Sequence, residues 1–291
     1  MRRRLFAILT ALTALIASAV PATAITGNYV DDPVHTNVGL ITFQVDGEFA
    51  GRCTGTMISS HVMLTAGHCV EGAETARVYF HQDAGADYDP ATQQDPTTGY
   101  PDFCIDNDPL CFESDTLVNY GYPAGFPETK DLGLVIFDEP VGDFVGISPL
   151  AQAGSLDALA TARGRKNITF TASGYGVTAH VPRPESYRVR LQAISQLTNL
   201  RNSLTDGYNL QTTAGQGRTR GGTCNGDSGG PIYYGDARTT FGAPIVAVTS
   251  FGLNANCKGT DFSYRTDQAA VIAWIQANLP EGDTITLVPL N

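Results

Sequence analysis

Short apolar or alternating runs recur along this chain, and they set the limits of what it can fold into. They read VGLITFQV, CTGTMIS, VMLTAG, ARVYFH, LGLVIF, ITFTASGYG, RVRLQAI and GAPIVAVTSF, each of strand length, with Gly, Pro, Asn and Asp punctuating the sequence between them. Many short strands separated by turn residues, with no long central helix and no fixed-period repeat, predict an all-β protein. One segment breaks the rhythm: Gln82 to Asp115 is rich in Asp, Pro, Thr and Gly and reads as a long surface loop between strands. Near the end, TDQAAVIAWIQANLPEG reads as a helix capped by Thr266 or Asp267. Ala270, Val271, Trp274, Ile275 and Leu279 form its apolar face, and Pro280 stops it. The tail DTITLVPLN alternates like a strand, with no role that its own residues assign.

The chain opens on Arg2, Arg3 and Arg4, then an apolar run from Leu5 to Val20, then Ala22-Thr23-Ala24. A basic start, a short apolar stretch and a small-x-small pattern predict a secretory signal peptide over residues 1–24. The run falls short of the roughly 20 residues that span a bilayer, so a membrane anchor is not expected. Secretion places the six cysteines, Cys53, Cys69, Cys104, Cys111, Cys224 and Cys257, in an oxidising compartment. An even number there predicts three disulfides rather than a metal site, with fifteen pairings open. The formal net charge of -11 argues against nucleic acid or an anionic membrane as a partner, since both need a cationic face. The acids of the 82–115 segment offer calcium the oxygen ligands it takes, but without the regular spacing of a calcium loop. No metal or cofactor is expected, and the protein is expected to be a monomer.

The glycines of GGTCNGDSGGP, Gly221 to Pro231, crowd around one hydroxyl, Ser228. Such a stretch is either a flexible loop or a backbone bent so that its N–H groups converge beside the serine. A serine nucleophile needs a base within reach, and the base needs a partner that fixes its tautomer. Of the histidines, His68 sits in TAGHC behind an apolar strand and next to a cysteine; His35, His61, His81 and His180 have unremarkable loop-like surroundings. Asp131 stands at the lip of the apolar strand in DLGLVIF, where it can hold an imidazole.

TAGHC, DLGLVIF and CNGDSGGP occur in the histidine–aspartate–serine order of the chymotrypsin/trypsin-like serine proteases, and the chain resembles that family from about Ile25 to Leu279. The resemblance implies two antiparallel six-stranded β-barrels over 25–279, divided near residue 145, with a C-terminal α-helix and then a tail over 280–291. It implies a peptide or protein substrate, with His68 as base and acid, Asp131 as its orienting partner and Ser228 as nucleophile. The N–H groups of Gly226 and Ser228 would form the oxyanion hole. It suggests the pairs Cys53–Cys69 and Cys224–Cys257, leaving Cys104–Cys111. It places Gly222 at the floor of the primary pocket and Ser250, Phe251 and Gly252 on the strand that pairs with substrate. A glycine at the floor offers a cationic side chain no partner, so an apolar or small residue is expected before the cut. Asp261 lies near the pocket wall, where it could substitute for the missing charge; Gly252 would leave the pocket mouth open, and Phe262 could instead narrow it. Cleavage after Ala24 would free Ile25, whose amine would pair with Asp227. A catalytically silent binding protein on the same fold is the alternative.

Overall fold

The computed structural model describes residues 25–84, 86, 92, 104, 108–160, 167–177, 188–214 and 220–290. The expected signal segment 1–24, His180 and much of the 82–115 segment, including most of the acids considered for calcium, lie outside them.

The alternating runs do form strands, and the turns between them follow from local chemistry. Val38–Val45 and Glu48–Met57 form a hairpin in which Val45 faces Glu48. Its two-residue loop is Asp46-Gly47, both at positive φ (53° and 80°). That is the backbone a right-twisted hairpin requires and the Asp-Gly pair favours. The first sheet continues through Thr75–Tyr79 on one side and through Val62–Thr65 and Gly133–Ile136 on the other. Its two ends, Cys111–Ser114 and Thr116–Asn119, are consecutive in the chain. A single strand bent at Asp115 therefore closes a ring of six.

The second sheet closes directly. Pro231–Tyr234, Thr169–Gly174, Leu191–Asn199, Asn209–Ala214, Gly259–Arg265 and Ile245–Gly252 follow one another, and the last pairs back to the first. Two barrels of antiparallel strands are thus joined through the segment around 137–150, which carries the short helix Val141–Val145. Each barrel has its own apolar interior, with Ile41, Met63 and Val135 in the first and Phe170, Leu210 and Val246 in the second. A third cluster sits between them: Ile58, Leu64 and Leu134 meet Tyr233 and Ile245, and the C-terminal helix adds Val271 and Ile275.

Three expectations need correction. The segment read as a loop to Asp115 ends earlier, because Cys111–Ser114 pairs with Thr75–Tyr79. The C-terminal helix, Ala269–Ala277, begins at Gln268 with no side-chain cap. Asp267 cannot serve, because its carboxylate accepts from Arg265 Nε (2.8 Å) and from the Leu156 N–H (2.7 Å). On the helix Ile272 is buried whereas Ala270 is exposed, which rotates the packed face slightly from the expected one. The tail also acquires a place. Leu287–Val288 pairs in parallel with Leu150–Ala151, and Asp283 accepts from Ser59 Oγ (2.6 Å) and His61 Nδ1 (2.9 Å).

Candidate active site

The loop around Ser228 is fixed from both barrels. Cys224 is bonded to Cys257. The Gly229 N–H donates to Thr249 O, and the Gly230 N–H to Asp227 O, both at 2.8 Å. From the first barrel, Thr54 donates its N–H to Ser228 O and its hydroxyl to Gly226 O, again at 2.8 Å each. Gly226 has φ +99° and a β-carbon there would stand 2.9 Å from Gly176 Cα. At Gly229, φ +79°, it would stand 2.5 Å from Thr54 O and 2.6 Å from Ala66 N. The glycines are there because side chains do not fit, which excludes the flexible-loop reading. Among the described residues no acceptor engages the N–H of Gly226 or of Ser228. A pair of unengaged donors beside a hydroxyl can stabilise an oxyanion.

His68 lies in the one-turn helix Gly67–Val70, and the neighbouring Cys69 is bonded to Cys53. Closing that 16-residue separation stabilises the fold by about 3 kcal/mol in the loop-entropy account. Pairing of Thr65 with Gly133 sets Asp131 beside this turn. Asp131 Oδ1 accepts the His68 backbone N–H at 2.8 Å, and Oδ2 lies 2.9 Å from His68 Nδ1. A carboxylate only accepts, so Nδ1 carries the proton and Nε2 is left as the basic nitrogen. Asp131 is 2% exposed, whereas the His68 side chain is 28% exposed. The Ser250 hydroxyl also donates to Asp131 Oδ2. The Tyr122 ring meets the His68 ring edge-on, with centroids 5.9 Å apart.

A cavity of about 310 Å³ opens beside Ser228, lined among others by Thr223, Ser250, Phe251, Gly252 and Asp261. Gly222 is buried one residue behind Thr223, in register with Thr26. Phe262 is fully buried and stacks on Phe251 at 4.6 Å, backing the wall rather than entering the cavity. Asp261 is 4% exposed and accepts the Thr223 N–H at 2.6 Å. Burial, only partly offset by Thr223, pushes its carboxyl up to about 7.

Ile25 is buried against Leu191 and Ala193. The following Thr26–Gly27 pairs with Gly221–Gly222, so the start of the described chain lies against the strand leading into the serine loop. Asp227 is buried with its two oxygens accepting from the Gly176 and Cys224 N–H groups, both at 2.8 Å. Burial pushes it up to about 7 despite those donors.

The cysteines pair as 53–69, 104–111 and 224–257. The sulfurs of Cys53 and Cys69 come close to His68, but the disulfide between them removes both as thiolate ligands.

Sequence reasoning missed several partners. Ser250 bonds to Asp131 as well as lining the cavity. Thr54 pins the serine loop. Three histidines read as unremarkable are paired with aspartates: His35 with Asp32, His61 with Asp283 and His81 with Asp108. Only His35–Asp32, three residues apart, lies within reach of a local reading; the others are made across the fold.

A sequence model of the trypsin family matches residues 34–275. CLIP domain-containing serine protease B10 of Anopheles gambiae is 26% identical over 266 residues, covering 87% of this chain and 68% of that protein. Among solved structures, HL collagenase superposes with a TM-score of 0.60 at 17% identity, covering 87% of this chain and 97% of that one. A mutant of human heparin binding protein gives 0.58 at 20% identity, covering 89% and 99%. At these identities the solved structures speak for the fold.

Proposed function

Because the chain belongs to the trypsin family of serine proteases, we propose that it is a secreted endopeptidase that cleaves peptide bonds with His68, Asp131 and Ser228. The observation that carries this reading is the Nδ1 contact of His68 with buried Asp131, which leaves the other ring nitrogen basic on a partly exposed ring. Ser228 Oγ attacks the carbonyl carbon as His68 Nε2 takes its proton. The carbonyl electrons move onto the oxygen, held by the Gly226 and Ser228 N–H groups; one such donor contributes about 3 kcal/mol. The tetrahedral centre collapses, the C–N bond breaks, and the amine leaves with the proton from His68. Water, deprotonated by the same nitrogen, then hydrolyses the acyl-enzyme and restores Ser228. Ser228→Ala should lower kcat about 10⁶-fold with an unchanged melting temperature. Undiminished cleavage by that variant would refute the assignment.

The residue before the cut enters the cavity beside Ser228. Gly222 supplies no charge behind it, which favours an apolar or small side chain. Asp261 adds a qualification. Its carboxyl, raised to about 7, is neutral below that pH and ionised above it, so acceptance of Lys or Arg grows as pH rises. The ratio of Arg to Leu cleavage should climb several-fold between about pH 6 and 8.5, and Asp261→Asn should remove the climb. A strong Arg preference at pH 6 would overturn the apolar assignment.

Removal of residues 1–24 would turn the Ile25 amide into an amine able to pair with Asp227, ordering the serine loop. In the uncut chain Asp227 is raised to about 7, above its ordinary unfolded value of about 4. Between those values the folded state binds the extra proton, so stability falls as pH rises through that window. Active enzyme should begin at Ile25 on amino-terminal sequencing. Export agrees with three disulfides, and among the described residues no helix is long and apolar enough to cross a membrane.

A catalytically silent binding protein is the second reading, favoured by the likeness to human heparin binding protein. A net charge of -11 disfavours heparin itself, a polyanion. A fluorophosphonate probe separates the readings: an enzyme is labelled at Ser228 and a silent protein is not.

A further inference from the structure

Arg52 lies close to the loop that carries the reacting serine but outside the lining of the cavity. It is half-buried on the strand Glu48–Met57, next to Cys53, whose disulfide reaches the residue after His68. Its Nε lies 3.3 Å from where a β-carbon on Gly226 would be, so the guanidinium rests against the proposed oxyanion loop. Its charge also acts on the buried carboxylate of Asp227. The cavity is walled by Thr223, Ser250–Gly252 and Asp261, with no residue of the Arg52 strand among its lining.

That separation assigns the two halves of a substrate. In the mechanism above the acyl half stays on Ser228 with its side chain in the cavity. The leaving amine departs with a proton from His68. That amine leaves on the His68 side, where the Cys53–Cys69 disulfide ties the residue after His68 to the residue after Arg52.

We propose that Arg52 is a specificity-determining residue on the leaving-group side, favouring substrates with a carboxylate side chain within the first two residues after the cut. The inference rests on the triad reading. Its logic is charge complementarity at one point of an otherwise acidic molecule. Asp131 holds a buried carboxylate beside His68, and the net charge is -11. An acidic substrate is therefore repelled at long range, and Arg52 supplies the local attraction. A partly exposed pair of this kind changes selectivity by a modest factor and weakens with salt.

The test uses internally quenched peptides identical up to the cut, with Glu, Gln or Lys at the second position after it. Active sites are first counted by fluorophosphonate labelling. At low salt kcat/KM should favour Glu over Gln by about fivefold, with Lys poorest, and the ratio should shrink at about 0.5 M salt. Arg52→Gln should bring the Glu-to-Gln ratio close to one, Arg52→Glu should invert the order, and Arg52→Lys should keep part of the preference. A labelled wild-type enzyme without a Glu preference, or a preference that survives Arg52→Gln, overturns this inference alone. If Ser228 is not labelled at all, the catalytic reading falls and this inference falls with it.

Discussion

Two parts of the molecule contain nearly the same small constellation. In one, His68 Nδ1 lies 2.9 Å from an Asp131 oxygen, and Ser250 donates to the same carboxylate. In the other, His35 Nδ1 lies 2.8 Å from an Asp32 oxygen, and Ser173 donates to that carboxylate. The difference lies at the second ring nitrogen. The His68 side chain is 28% exposed. His35 is fully buried, stacked on Tyr233 at 4.4 Å, and its Nε2 meets no hydrogen-bond partner among the described residues. A histidine–aspartate pair is therefore not by itself a catalytic device. The fold decides whether the free nitrogen can reach a reactant.

The two pairs are also built differently. Asp32 accepts the N–H groups of Val34 and His35 as well as the imidazole, so one local turn makes the whole arrangement. Arg190, itself buried, then donates to Asp32 O, Val38 O and Phe80 O across the structure. His68 and Asp131 are 63 positions apart and meet only after Val62–Thr65 pairs with Gly133–Ile136. The first arrangement serves packing, and the second is assembled at the seam between barrels.

Neutralising the two carboxylates should separate these roles most sharply. Asp131→Asn should lower kcat about 10⁴-fold through the wrong imidazole tautomer, with little loss of stability. Asp32→Asn should leave kcat within a few-fold and destabilise the protein by about 2–4 kcal/mol, because the buried network loses the charge and one of its two acceptor oxygens to an NH2 that faces other donors. Steady-state kinetics and urea unfolding on both variants would measure this. A large fall in kcat for Asp32→Asn in folded protein would break the comparison. The serines should follow the same division with smaller effects. Ser250→Ala should reduce kcat by roughly tenfold, and Ser173→Ala should cost about 1–2 kcal/mol of stability.

The smallest effect is in pH. Burial alone would raise Asp32, but hydrogen bonds from His35 and Ser173, together with the His35 charge, hold it below the ordinary carboxylate value. Its unfolded value is about 4. Between the two values the unfolded state binds more protons, so the stability Asp32 contributes is present above about pH 4 and is lost as pH falls through its folded value. Acid unfolding of Asp32→Asn should therefore be shallower than that of the parent.

How much of this was legible in the sequence follows from how far apart the partners lie. The hairpin at Asp46-Gly47 and the alternating runs carry their own instructions, and so do TAGHC, DLGLVIF and GDSGGP. The Ser250 contact with Asp131 spans 119 positions and the His61 contact with Asp283 spans 222, and no local pattern announces either. Cys111–Ser114 reads CFES and looks like the end of the polar segment before it; its strand character comes from the partner Thr75–Tyr79. The start of the C-terminal helix is not legible locally, because Arg265 and the Leu156 N–H occupy the Asp267 carboxylate. The tail shows its strand character by alternation, but nothing local announces its partner, Leu150–Ala151.

The most direct test compares how fast a fluorophosphonate adds to Ser228, read by intact and peptide mass, in the parent, His68→Ala and His35→Leu. The parent should take one adduct, on Ser228; His68→Ala should react at least about 10³-fold more slowly; folded His35→Leu should react at nearly the parent rate. Labelling of His68→Ala at the parent rate, or an adduct on a residue other than Ser228, would contradict the claim that these two groups form the reacting pair.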